Sequence, residues 1–339
     1  MSSVQARDWR VTARSALRWL PGVLVTLLAF FLLARQIEWN TFLASLASVP
    51  PGILLLSSLI YLVGMVLRGL AWQYLLQRKV LARKVIFALN EGYFFNNILP
   101  FRMGELARAF LLGRSSHLGM FHILPTIVVE RSYDLAIAAG LLLATLPLAL
   151  GLAWARPVAL LLLGLIALGL FALYLAARNR EWVENLVERL AGRWSPVRRF
   201  LLPQLHNILN GFSVLTKAEY FFGSLGLLAA SWFIAMLRDW LLIRVFVPEA
   251  PLWWAALGIS AANIAGAVPS VMASLGTYEL GAVGALTLVG MQEESILAYA
   301  LITHVTHLIF STLIGAYAVS REGQTFSDLV ADIRRARQG

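Results

Sequence analysis

A chain of 339 residues that is 59% hydrophobic, with a mean hydropathy of +0.74, is too apolar for a pair of ordinary soluble domains and reads as a polytopic membrane protein. The formal charge of +10 invites a nucleic-acid reading, but the basic residues flank apolar segments in alternate loops, the pattern that orients membrane helices, so no nucleic-acid partner is expected. The lack of cysteine excludes disulfide and thiolate chemistry.

The first apolar segment, Leu17 to Ala34, has no small-residue cleavage site and is expected to stay as a membrane helix, with Arg7, Arg10, Arg14 and Arg18 holding the N-terminus in the cytoplasm. A second helix is expected from Ile53 to Leu76, returning at Arg78, Lys79, Arg83 and Lys84. The next apolar run, Val85 to Leu99, is short for a crossing and ends at Pro100. Arg102, Arg108 and Arg114 follow it, which predicts a re-entrant hairpin near residues 85–112. Helices are then expected from Phe121 to Leu146 and from Pro157 to Ala177. The polar, amphipathic stretch 178–219 is read as cytoplasmic, with Trp182, Trp194 and Phe200 at headgroup level. A fifth helix from Tyr220 to Phe246, a second re-entrant hairpin near 252–290, a sixth helix from Ile296 to Val319 and a basic cytoplasmic tail over 321–339 complete the chain.

The fold class this predicts is an all-α polytopic membrane protein with six full transmembrane helices plus two re-entrant helical hairpins, in two inverted-topology repeats spanning 1–147 and 148–320. Spacing supports the division. Arg68 precedes Pro100 by 32 residues and Arg238 precedes Pro269 by 31, while Glu105 to Glu130 and Glu279 to His304 are both 25 apart. The expected location is the bacterial cytoplasmic (inner) membrane, with both termini cytoplasmic.

Ionisable groups in hydrocarbon are costly and tend to face a cavity or one another. Arg68, Glu130, Arg131, Asp134, Arg238 and Asp239 all fall in or near predicted helices. Glu130 and Asp134 share a helical face, and Arg131 is spaced to pair with Asp134 as a purely structural ion pair. Arg238 and Asp239 are adjacent, so they should point differently, and simple anchoring near the boundary is an equal reading for them.

Pro100 removes an amide donor and Gly104 permits unusual dihedrals, so the first motif should be broken helix with backbone groups available to a ligand. Helix N-termini there favour an anionic headgroup, and Arg102 and Arg108 add a bidentate grip on phosphate; their bland alternative is cytosolic retention by positive charge. Glu105 and Glu279, one in each half, do not fit that alternative. Asn90, Asn96, Asn97 and Asn263 are placed to bridge the broken helices or bind headgroup oxygens, and Gly276 marks the second break. His304 and His307 share a face, but without a third ligand or HExxH spacing they read as buried hydrogen-bonding histidines, so no metal and no cofactor are expected.

The run Asn96-Asn97-Ile98-Leu99-Pro100 with Arg102, Gly104, Glu105 and Arg108, followed by Glu130-Arg131 and Asp134, resembles the signature of the lysylphosphatidylglycerol synthase transmembrane-region family, also described as flippase-like. The second motif keeps Pro269, Gly276 and Glu279 but replaces the family's glycine-rich centre with Ser270 to Leu275. The resemblance implies the membrane portion of a lipid flippase, without the soluble aminoacyl-transferase domain of the two-part members. It implies a membrane phospholipid or polyprenyl-linked lipid as substrate. Arg68, Asn96, Asn97, Pro100, Arg102, Glu105, Arg108, Glu130, Arg131, Asp134, Arg238, Asn263, Gly276, Glu279 and His304 form the expected substrate-binding set. The alternatives are an intramembrane transferase acting on a lipid-linked substrate, or a non-catalytic partner of a lipid-modifying enzyme. A homodimer is a further expected assembly.

Overall fold

The computed structural model describes residues 39–98, 103–150, 155–191, 202–268 and 274–321, and among the described residues the secondary structure is entirely helical. Helix α1 (Trp39–Ala47) leads into α2 (Pro51–Leu75), whose start is set by Pro51 inside the first turn and an extended Pro50 before it. The end of α2 is a left-handed turn made without glycine: Gln77 and Arg78 have φ of 52° and 55°. The Arg78 amide donates to the Gln73 carbonyl at 2.9 Å and the Gln77 amide to that of Tyr74 at 2.8 Å, which satisfies two carbonyls of the last turn. The Gln77 side chain is locked in place, donating to Ser213 Oγ and accepting from Lys217 Nζ, both at 2.8 Å.

Helices α3 (Ala82–Ile98) and α4 (Gly104–Ser115) pack against each other across the first break. They are followed by α5 (Met120–Leu150), α6 (Ala155–Arg178), α7 (Arg180–Ala191) and α8 (Leu202–Phe212). A 3₁₀ turn at Ser213–Thr216 feeds α9 (Ala218–Phe246). Helices α10 (Leu252–Gly266) and α11 (Thr277–Leu286) form a second short hairpin, and α12 (Glu293–Arg321) closes the described chain.

Helix α2 lies along α9, where Ser231 Oγ donates to the Gly64 carbonyl at 3.0 Å. One core gathers Trp72, Leu75, Leu89, Ile123 and Leu228, and a second gathers Leu242, Ile243, Leu286, Ile296 and Tyr299. The exterior is the reverse of a soluble protein. Leu55, Leu59 and Val63, one turn apart on α2, are more than half exposed, as are Phe222 on α9 and Leu313 on α12, while the same helices bury Ser57, Ser224 and Ser311. Apolar outside and polar inside is the arrangement a bilayer stabilises, since lipid neither solvates polar groups nor expels apolar ones.

Four helices, α2, α5, α9 and α12, are long and apolar enough to cross a membrane among the described residues. The expected six full transmembrane helices with two re-entrant hairpins in inverted repeats are therefore not what is found. The four correspond to the helices expected at 53–76, 121–146, 220–246 and 296–319, each long enough for the roughly 20 continuous apolar helical residues that a span needs. The span expected at 157–177 falls in α6, which is not among the four, and the short helices α3, α4, α10 and α11, of 17, 12, 15 and 10 residues, lie where the hairpins were expected. The helix expected at 17–34 and the tail beyond Arg321 lie outside the described residues. The stretch 178–219 is also more than a surface segment, because Leu205, Leu209, Val214 and Leu215 are buried, and α8 packs on α5.

Candidate functional site

The breaks place polar backbone and side chains at the centre of the bundle. Asn96 Oδ1, two residues before the end of α3, accepts the Gly104 amide at 2.7 Å and so caps the start of α4. Gly104 has no side chain because a Cβ there would lie 2.6 Å from that same oxygen. Asn97 turns the other way, its Nδ2 donating to Ser311 Oγ at 3.1 Å and Thr312 Oγ1 at 3.0 Å on α12. At the second break Gly276 has φ of 84°, and its amide donates to Glu279 Oε2 at 2.7 Å, the carboxylate half of a capping box.

Pairs from α2, α4 and α5 form one charge network. Buried Glu130 accepts from Arg108 at 2.8 Å and lies 3.2 Å from both Arg68 and Arg131. Asp134 pairs with Arg68 and with Arg131 at 3.3 Å, and accepts from Trp232 Nε1 at 3.0 Å. Glu105 is 3.8 Å from Arg131. The Arg108 guanidinium also sits 4.5 Å from the centre of the Trp72 ring, whose Nε1 donates to Thr126. Three guanidiniums and three carboxylates thus neutralise each other, as burial demands.

The second group is built by α9, α11 and α12. Arg238 donates twice to Asp239 Oδ1, at 2.6 and 2.8 Å, and Tyr299 donates to Asp239 Oδ2 at 2.9 Å. Both residues of this pair are buried, which corrects the anchoring alternative: adjacency did not part their charged ends, because the long arginine folds back on its neighbour. His304 Nδ1 lies 2.6 Å from Glu279 Oε1, and His307 Nδ1 is 3.1 Å from the Tyr61 hydroxyl. Among the described residues no group of His, Asp or Glu has the arrangement of a metal site.

Between these groups lies a cavity of about 630 Å³, lined by side chains from α2, α3, α4, α5, α9, α10, α11 and α12. Of the expected set, Arg68, Asn96, Asn97, Glu105, Arg131, Asp134, Arg238, Asn263 and His304 reach its wall. Arg108, Glu130 and Glu279 are buried behind that wall, holding the residues that form it. Gly276 shapes the backbone, and Pro100 and Arg102 lie outside the described residues. Tyr61, Tyr93, Trp232 and Tyr278 also line the cavity and were missed, since an aromatic residue within an apolar helix carries no mark in the sequence of which way it faces.

Residues 19–315 match the family model described as lysylphosphatidylglycerol synthase TM region. The chain belongs to that family. It is 24% identical over 302 residues to a UPF0104 membrane protein of Methanothermobacter thermautotrophicus, covering 83% of this chain and 88% of that one. It is also 27% identical over 154 residues to the glycosyltransferase AglD of Haloferax volcanii, covering 42% of this chain but only 24% of that protein. Both relatives are archaeal, which overturns the bacterial inner-membrane assignment made from charge patterning, a signal that reads orientation and not organism. Family and fold together make this a lipid-handling, multi-pass membrane protein.

Proposed function

We propose that the chain moves a phospholipid or polyprenyl-linked lipid between leaflets, taking the polar headgroup into the cavity while the tails stay in the bilayer, without covalent chemistry. The observation that carries this reading is a cavity of about 630 Å³, walled by Arg68, Arg131 and Arg238 and set among helices with apolar outer faces. That volume lies within the range of roughly 300–1,000 Å³ typical of small-molecule sites, enough for a headgroup and too small for a whole lipid. The carboxylates Asp134, Glu105 and Asp239 balance these arginines. An incoming phosphate would replace one of them as partner, so the arginines are never left as bare charges in a low dielectric.

The test is leaflet exchange of fluorescently labelled phosphatidylglycerol in vesicles containing the purified protein, read by quenching of the outer leaflet. Exchange well above protein-free vesicles, slowed at least about tenfold by Arg131→Gln, is the expected result, a loss of roughly 1.4 kcal/mol or more. Equal rates with and without protein would sink the reading.

The partial likeness to a glycosyltransferase favours one other reading, transfer of a sugar to or from a lipid-linked acceptor. A new covalent product from purified protein, polyprenyl phosphate and a nucleotide sugar would establish it.

A further inference from the structure

We infer that the headgroup this cavity takes is a sugar ring carried on phosphate, the glycosyl phosphate of a lipid-linked sugar, a step that rests on the headgroup reading above. The cavity wall has two unlike ends. One holds Arg68 and Arg131 with their carboxylate partners Glu105 and Asp134. Among the described residues the buried Nε atoms of Arg68, Arg108 and Arg131, and Nη1 of Arg108, have no hydrogen-bond acceptor. This end is therefore short of acceptors, and a phosphate brings them.

The other end is made of rings. Tyr61, Tyr93, Tyr278, His304 and His307, from α2, α3, α11 and α12, all line the cavity. The His307 ring centre lies 5.1 Å from that of Tyr93 and 5.8 Å from that of Tyr61, and His304 lies 5.0 Å from Tyr278. Aromatic faces beside a cavity suit two kinds of headgroup: an ammonium, drawn to the negative face of a ring, or a sugar, whose C–H face packs on it. The charges favour the sugar. The Arg238 guanidinium already stands 5.9 Å from the Tyr61 ring centre, so an ammonium on this wall would meet a cation in the place it needs. The carboxylates that line the cavity, Glu105 and Asp134, stand at the opposite end and are paired with Arg131. An uncharged ring meets neither obstacle.

Sugar hydroxyls also need partners, and two asparagines on the wall supply acceptors. Asn263 spends Nδ2 on the Ile259 carbonyl at 2.8 Å and Asn97 spends Nδ2 on Ser311 and Thr312, which leaves the Oδ1 of each to accept from a hydroxyl. Spacing sets the size of the ligand. Tyr61 and Arg68 both line the cavity from α2, nearly two turns apart on one face, a rise of roughly 10 Å. A phosphate joined to one hexose ring has a comparable reach, whereas glycerol phosphate is shorter and has no face to lay on the rings.

Binding tests this separately from transport. With the full chain in nanodiscs, saturation of its aromatic protons in NMR should pass to the ring protons of glucose 1-phosphate, and should not do so in empty nanodiscs. Glucose 1-phosphate should bind at least about tenfold tighter than glycerol 3-phosphate or phosphocholine. Equal or tighter binding of either competitor overturns the sugar assignment. Tyr93→Leu should shrink the preference for the sugar, and an undiminished preference overturns the placement of the ring on that wall. Polyprenyl phosphoglucose added to the nanodisc membrane should displace glucose 1-phosphate; failure to displace it would mean a site for free sugar phosphates and overturn the lipid-linked assignment. Labelled phosphatidylglycerol in vesicles reports on transport alone. Exchange without a sugar preference leaves lipid transport standing and removes this proposal, whereas a sugar preference without exchange removes transport and leaves the binding site.

Discussion

Glu130 shows how one residue can be fixed by its neighbours. It is almost fully buried and meets Arg108, Arg68 and Arg131 at 2.8 to 3.2 Å, so removing its charge breaks the buried pair with Arg108 and leaves Arg68 and Arg131 to Asp134 and Glu105. Exposed ion pairs are worth about 0–1 kcal/mol, whereas breaking a buried one costs about 3–5 kcal/mol. Glu130→Gln is therefore predicted to lower the unfolding free energy by about 3–5 kcal/mol. The midpoint of denaturant unfolding in detergent measures this, and an unchanged midpoint would reassign Glu130 from holding the network to some other role. The sequence revealed part of the network, because Arg131 and Asp134 are one helical turn apart and pair as spacing dictates. It could not reveal Arg108 with Glu130, 22 residues away, which depends on how α4 settles on α5.

At the scale of elements, the second hairpin turns on a backbone only glycine holds comfortably. Gly276, with φ of 84° and ψ of −45°, starts α11 and donates to Glu279. A side chain there is strained, at about 1–3 kcal/mol for a sparsely populated conformation. Gly276→Ala should destabilise by that amount, while Gly284→Ala on the same helix, where a Cβ meets nothing within 4 Å, should stay within about 0.5 kcal/mol. Thermal unfolding of the two variants side by side checks the prediction; equal losses would argue against strain at the turn. Both breaks were legible because glycine and a carboxylate recur at them, and so were the four membrane-length helices, whereas the span expected at 157–177 is α6, which is not among those four.

For the whole molecule, the decisive feature is space. Ala235 lines the cavity on α9, one turn from Ser231, whose hydroxyl ties α9 to α2. Ala235→Trp is predicted to fill the cavity and slow lipid exchange at least about tenfold, because a headgroup and an indole cannot share the site. Overpacking a tight core costs about 1–3 kcal/mol, but here the ring enters existing volume, so the unfolding midpoint should change little. Exchange at the wild-type rate with the ring in place would mean that headgroups travel elsewhere.

The sequence by itself determined the membrane class, the positions of both breaks and the family, because these rest on local quantities: apolar composition, helix-breaking residues and a contiguous motif. It also singled out most of the cavity's charged residues, since a charge in an apolar run is conspicuous wherever it ends up. Tertiary structure alone decided that Arg238 turns back onto Asp239, that Glu130 stands behind the wall and Arg131 on it, and that Tyr61, Tyr93, Trp232 and Tyr278 face inward. The reason is that burial and facing are set by neighbours far away in the chain. A cavity is the space their packing leaves open, and no single stretch of residues encodes it.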